Sequence, residues 1–312
     1  MGLRLVANTS RYLREHPEQR FTAREIARWM MTAFPAECQE KKAKSAAIDS
    51  DDALLQQIVA EIGSNRPGMQ KKHPQIKTTE QRPRRYYWTD KTDETEVEEA
   101  EAGQIDNQAL ADTPVHSEHA LYPLLSRFLA DDQAVFSLRI DERKSSNRKG
   151  PQGNKWLYPD LVGMEDITAD WNNEVRECAG QYGDKKTRLW SFEVKLLLNR
   201  SNVREAYFQA VSNSSWANFG YLAAAVIEGP ETMRELRMLF ALHGVGLIRL
   251  NMENPSESDI MIPARERDMV DWTTCSRLAD ENPDFHKFIK QVRQFYQTGD
   301  IRKPDWDGQK TA

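Results

Sequence analysis

Two short stretches, LYPDLVG at 157–163 and LWSFEVKL at 189–196, hold acids and a lysine in a pattern that could do chemistry. In the second, Glu193 and Lys195 lie two residues apart. A strand sends such residues to one face and Val194, between them, to the other. In the first, Asp160 follows Pro159 at the end of what reads as a neighbouring strand, 156–163. An Asp and a Glu on adjacent strands converge as oxygen ligands for a hard divalent cation, and the Val194 carbonyl can add a third oxygen. Such a cation polarises a phosphodiester and lowers the pKa of a bound water. Lys195 is then placed to position or deprotonate that water and to offset charge in the transition state. An E-x-K triplet or a Pro-Asp pair alone is common in exposed strands and turns. Here apolar residues flank both, and a helix follows near Val203, which favours a metal site for nucleic-acid hydrolysis.

The elements that must position these residues can be read around them. Ser117 precedes the helix EHALYPLLSRFLA, whose Leu121, Leu124, Leu125, Phe128 and Leu129 form its apolar face. Strand patterns follow at 134–140, 156–163 and 188–196, then a helix at 203–218. The run FGYLAAAVI at 219–227 is apolar throughout, as in a strand buried on both faces. A helix at 231–243, a strand at 245–250 and a helix at 282–296 complete an α/β domain with a mixed central sheet flanked by helices. The 32 residues between Asp160 and Glu193 are too many for a hairpin. Their excess, 164–187, predicts a protruding loop able to contact DNA or a partner. The loop before the Asp160 strand carries Arg143, Lys144, Arg148, Lys149 and Lys155, a basic grip for a nucleic-acid backbone.

The 312-residue chain carries a formal net charge of −5, unevenly spread. Residues 1–89 have a net charge of +6, residues 90–117 of −8, and the rest of −3. The acidic stretch is poor in large apolar residues and reads as a flexible linker between two domains, 1–89 and 118–312. Cys38, Cys178 and Cys275 are too dispersed for a disulfide framework or a zinc site. The longest useful apolar run, 221–227, is far short of the roughly 20 residues of a membrane helix. No leader pattern is visible at the N-terminus, so a cytoplasmic protein with no membrane partner is expected. HExxH, Walker A and Ser-His-Asp patterns are absent, which removes zinc proteases, P-loop NTPases and serine hydrolases.

In the first segment, Thr22 and Glu25 make a capping box before a helix that turns Ile26, Trp29, Met30 and Phe34 inward. A second helix is expected at 51–62, closed by Gly63. Strand-like runs at 75–78 and 84–89 then flank a polar turn. Helices followed by a basic hairpin outline a small α+β winged helix. Lys71, Lys72, Lys77, Arg82, Arg84 and Arg85 would face phosphates, while Tyr86 and Trp88 pack inward or stack.

The succession PDLVG, FEVK, REAYFQAVSNSSWAN and GYLAAAVI resembles the PD-(D/E)xK, or restriction endonuclease-like, superfamily. With the first segment it resembles HrgA-like bacterial proteins, which join a restriction-associated winged-helix domain to such a nuclease domain. The resemblance covers most of the chain outside the acidic stretch. It implies that Asp160 and Glu193 bind magnesium, for which manganese can substitute, and that Lys195 is catalytic. Some nucleases of this fold add an acid from the first helix and a Gln from the helix after the ExK strand. The matching positions are Glu118 as a metal ligand and Gln209 as a catalytic residue, with Ser212 one turn on along a face turned to the active site.

The expectation is a magnesium-dependent DNA endonuclease of restriction or phage-defence type. Its partner is double-stranded DNA, modified or not, and a homodimer would let two single-strand cuts sever a duplex. A regulator that binds DNA and keeps the nuclease-like scaffold without activity is the rival, and an RNA-directed nuclease is a third reading.

Overall fold

The computed structural model describes residues 3–44, 48, 50–80, 83–101, 117–147 and 153–308. The first third runs α1 (Leu5–Glu15), β1 (Phe21–Thr22), α2 (Ala23–Ala33), α3 (Pro35–Ala43), α4 (Asp51–Lys72), β2 (Ile76–Thr78) and β3 (Arg85–Trp88). The three strands form an antiparallel sheet in the order β1-β3-β2. The capping box opens α2 as its sequence dictates: Glu25 N–H donates to Thr22 Oγ1, and Thr22 N–H donates to the Glu25 carboxylate. Leu13, Ile26, Met30, Ile58, Ile62, Met69, Tyr86 and Trp88 close the core beneath.

Helix α4 does not stop at Gly63. It runs 22 residues, through Gly63 and Pro67, because Leu54, Leu55, Ile58, Ile62 and Met69 keep one face buried. Pro67 is on the exposed side, where water can take the carbonyl that loses its helical donor.

The remainder runs α5 (Asp93–Glu101), α6 (Glu118–Asp132), β4 (Val135–Arg139), β5 (Leu161–Asp166), α7 (Asn173–Tyr182), β6 (Thr187–Leu198), α8 (Val203–Asn213), β7 (Phe219–Ile227), α9 (Pro230–His243), β8 (Gly246–Arg249), β9 (Asp259–Ile262), α10 (Trp272–Glu281) and α11 (Pro283–Thr298). It is a mixed α/β arrangement around a six-stranded sheet in the order β4-β5-β6-β7-β8-β9. β6 pairs antiparallel with β5 and parallel with β7, and β7 pairs parallel with β8. Parallel neighbours need crossovers, supplied here by α8 and α9. These helices cover one face through Ala206, Tyr207, Ala210, Met233 and Leu236. Helix α6 covers the other through Leu121, Leu125 and Phe128 against Trp190, Phe192 and Val194. Helices α10 and α11 close a third cluster over β4 and β5, with Trp216, Phe285, Phe288 and Trp306 at its centre.

Two expectations need correction. The stretch 90–117 is not a flexible linker over its described part, since α5 buries Glu96, Val97 and Ala100. Val97 and Ala100 join the cluster under α6, and residues 102–116 lie outside the described residues. The stretch 164–187 is not simply a loop: β5 continues to Asp166, α7 follows, and β6 starts at Thr187.

The small sheet is joined to the large one. Glu80 N–H donates to the Ile227 carbonyl at 2.8 Å and Gly229 N–H to the Thr78 carbonyl at 3.0 Å. Beside this bridge the Lys77 ammonium donates to Asp93 at 2.6 Å and to Glu96, and sits 3.6 Å from Glu228. Burial, then the neighbouring Glu96, pushes Glu228 up to about 8. Removing this cation leaves Asp93, Glu96 and Glu228 crowded together, the last two buried, which is the costly way to break a buried pair. Lys77→Met is expected to lower unfolding stability by about 3 kcal/mol in a urea titration at neutral pH. A loss below about 0.5 kcal/mol would show that the junction carries no stability.

Candidate active site

Strand β6 carries the centre of the site. Glu193 and Lys195 alternate with Phe192, Val194 and Leu196, which pack under α6, so the two charged side chains share the opposite face. Glu193 is 2% exposed and Lys195 8%. Lys195 Nζ donates to Glu193 Oε1 at 3.0 Å and stands 3.7 Å from Glu118 Oε1, at the start of α6.

Asp160 opens its strand rather than ending it. In the stretch 156–163, Trp156 ends a 3₁₀ turn that starts at Gly153, residues 157–160 turn irregularly, and β5 begins at Leu161. Pro159 has no N–H to give a ladder, so regular pairing starts beyond it. The Asp160 backbone is fixed all the same: its N–H donates to the Phe192 carbonyl at 3.0 Å and its carbonyl accepts from Ile140 N–H at 2.9 Å. Its carboxylate accepts from Val194 N–H at 2.8 Å on Oδ2 and from the Tyr122 hydroxyl at 2.9 Å on Oδ1. The β5–β6 ladder ends at Leu161 and Phe192, so Val194 lies beyond it. In an extended strand the N–H and C=O of one residue point to the same side, so the Val194 carbonyl opens toward Asp160, as a ligand there must.

The electrostatics are those of a site short of positive charge. Burial pushes Glu193 well above the usual carboxylate range, helped by Asp160 and opposed by Lys195 and Asn213. Burial likewise raises Glu118 to about 7, against the pull of Lys195 and with a push from Asp160. Burial works against the charged form of Lys195, but Glu193, Glu118 and Asp160 outweigh it and hold the ammonium above the ordinary lysine value. Glu142, just after β4, is raised by burial and next by Asp160. Four carboxyl groups thus act on one lysine. Carboxylate and carbonyl oxygens are the hard donors that Mg²⁺ or Mn²⁺ prefers over a soft metal, but among the described residues the acids whose oxygens all lie within 4.8 Å of one another are Asp93, Glu96 and Glu228, not these.

The other expected residues are spread more widely. Gln209 is buried on α8, but its amide donates to the Lys155 carbonyl at 3.2 Å, and its Oε1 has no partner among the described residues. Ser212 Oγ donates to the Trp156 carbonyl at 2.7 Å, so it anchors the 3₁₀ turn instead of facing a ligand. Lys155 pairs with Glu205 at 3.1 Å and Lys144 with Asp284 at 2.9 Å. Arg143 is exposed, and Arg148 and Lys149 lie outside the described residues. On the first sheet, Lys77 is taken up by Asp93, Glu96 and Glu228 and does not face outward, which corrects its expected phosphate role. Arg84 pairs with Glu80 at 2.9 Å, and Arg85 is partly exposed. Lys71 and Lys72 are exposed at the end of α4, and Arg82 is outside the described residues. Asp93, Glu96 and Glu228 are close enough to hold a metal ion, but Lys77 already serves as their cation.

Sequence reasoning missed Tyr122, Glu142 and Asn213. Tyr122 is one turn after Glu118 on α6, and Asn213 one turn after Gln209 on α8, so helical spacing from the expected residues could have found both. Asn213 Nδ2 donates to Glu193 Oε2 at 3.0 Å, and to the Lys155 and Tyr158 carbonyls at 2.9 and 3.0 Å.

Compared with known proteins, the sequence matches no family model and no curated protein. Among solved structures it is similar to a protein of unknown function from Silicibacter pomeroyi. The identity is 12%, over 60% of this chain and 95% of that one, with a TM-score of 0.31. No helix among the described residues is long and apolar enough to cross a membrane.

A carboxyl whose folded pKa is raised stabilises the fold below its unfolded value and loses that contribution as pH rises through the folded value. For Glu118 the window runs from about 4.5 to about 7. With EDTA present, the melting temperature is therefore expected to fall across this window. Glu118→Gln should flatten the decline, and an unchanged slope in that variant would remove Glu118 from the electrostatics of the site.

Proposed function

We propose that this protein is a magnesium-dependent endonuclease that hydrolyses phosphodiester bonds in DNA, with manganese able to replace magnesium. The observation that carries the reading is the meeting of Asp160, Glu193 and Lys195. The Val194 N–H ties Asp160 to the strand that bears the other two. Asp160, Glu193 and the Val194 carbonyl would hold the cation, with Glu118 beside them. The bound cation would polarise the phosphate and acidify a coordinated water.

What the chain itself contributes follows from its charges. Lys195, held as an ammonium, is suited to donate to the attacked phosphate or to the attacking water and to offset the growing negative charge. The buried face of β6 keeps these groups out of bulk water, in a low-dielectric setting that strengthens their interactions.

The first unit supports a nucleic-acid substrate. Its helices with a three-stranded antiparallel sheet in the order β1-β3-β2 support the winged-helix reading. Lys71 and Lys72 offer unpaired cations at its surface among the described residues. Double-stranded DNA is the substrate this combination fits, and pairing of two copies would bring two cutting sites to one duplex.

Purified protein with plasmid DNA and Mg²⁺ or Mn²⁺ is expected to nick or linearise the DNA, and EDTA to stop it. Lys195→Ala and Asp160→Ala should each lower the rate by about 10²–10³-fold or more while DNA binding survives. Full cutting by either variant would remove the assignment. Binding without cutting by the wild type, on modified and unmodified DNA alike, would favour a regulator instead.

A further inference from the structure

We infer that Tyr122 and Asn213 are positioning residues, which fix the orientation of the Asp160 and Glu193 carboxylates for a divalent cation. This rests on the metal-dependent reading above and assigns to two neutral side chains the control of cation affinity.

Tyr122 is buried on the inner face of α6, with the Arg139 guanidinium 4.8 Å over its ring. Its hydroxyl reaches one oxygen of Asp160 while Val194 N–H reaches the other, at 2.9 and 2.8 Å. One donor on each oxygen removes rotation about the last side-chain bond, so the plane of the carboxylate is set by two elements that cannot move independently. Each oxygen keeps a second lone pair for a cation.

Asn213 does the same for the second carboxylate and ties it to the first. It is 1% exposed, and its amide nitrogen reaches Glu193 Oε2 and the carbonyl of Tyr158, two residues before Asp160. One side chain therefore spans both ligand-bearing segments. The residue is itself fixed at its backbone, where its carbonyl accepts from Ser191 Oγ at 3.1 Å and from Trp216 Nε1 at 2.9 Å. The close seat of this helix end on the sheet depends on Gly220, where a Cβ would lie 2.2 Å from Ser214 Oγ. Groups that hydrogen-bond metal ligands in this way commonly set metal affinity by one to two orders of magnitude.

The test uses the full chain and Mn²⁺ without DNA, so that affinity is read apart from cutting. Titration calorimetry, or the loss of free-Mn²⁺ resonance signal, would give dissociation constants for wild type, Tyr122→Phe and Asn213→Leu. Each substitution is expected to weaken Mn²⁺ about 10–100-fold. Cutting lost at low Mn²⁺ should return at high Mn²⁺, a rescue that a general loss of structure would not allow. Tyr122→Phe removes one hydroxyl from an otherwise unchanged ring, so the proposal stays testable even if Asn213→Leu does not fold.

Unchanged Mn²⁺ affinity in Tyr122→Phe, beside a wild type that binds Mn²⁺ and cuts DNA, would overturn the inference and leave the nuclease reading standing. Weakened Mn²⁺ binding in the variants of a protein that cuts no DNA would uphold the inference and sink the nuclease reading. A wild type that binds Mn²⁺ no better than Asp160→Ala would overturn both.

Discussion

An acid and a base buried side by side on the middle strand of a sheet govern the design of the larger unit. Glu193 and Lys195 have almost no contact with water, and a buried ion pair commonly recovers less than its desolvation costs unless its remaining lone pairs and protons are satisfied. The neighbours can be understood as answers to that problem. Asn213 satisfies the second oxygen of Glu193, Glu118 adds a further acid near the ammonium, and Asp160 is brought in by a backbone amide of the same strand. Acids still outnumber the ammonium three to one in this group. A protein that only needed a stable sheet would be better served by apolar side chains at these positions. The retained imbalance makes sense if a cation completes it.

The topology explains how such a cluster is reached. β6, like β8, pairs antiparallel on one side and parallel on the other, so its two sides are treated differently. On the antiparallel side the ladder ends at Phe192, which frees the next peptide groups for side-chain ligands. On the parallel side the ladder continues to Leu198 against β7 and keeps the strand rigid. The crossover helix α8 returns over this strand and delivers Asn213. The opposite layer delivers Glu118 and Tyr122 from α6.

Much of this was legible in the sequence, for identifiable reasons. Alternation in FEVK put Glu193 and Lys195 on one face, and apolar flanks marked both acid-bearing segments as buried. Most helices and strands from 118 onward followed from their periods, but α7, β9 and α10 did not. What escaped detection depends on partners distant in the chain. Asn213 and Tyr122 are ordinary in type and acquire a role only when α8 and α6 meet β5 and β6. The acidic run at 93–101 lacks the apolar stripe of an ordinary buried helix. It is ordered by Lys77 and Lys91, the latter 2.9 Å from Glu99, and composition alone cannot show cations arriving from elsewhere. Gly63 reads as a helix end because local propensity says so, yet the buried face of α4 carries the helix past it and past Pro67.

The bridge between Thr78–Glu80 and Ile227–Gly229 bears on how the molecule can be taken apart. A cut anywhere between α5 and α6 looks harmless by sequence, since it falls between recognisable halves. A C-terminal fragment made that way would lose the Asp93 carbonyl that accepts from the Asn199 side chain just after β6. It would also lose the lysine that faces Glu228, and the pairing edge along the end of β7. Asn199 is four residues beyond Lys195 on the same run of chain. The fragment would therefore carry an unsupported strand end next to its chemistry, and its silence in an assay would say little about the whole protein.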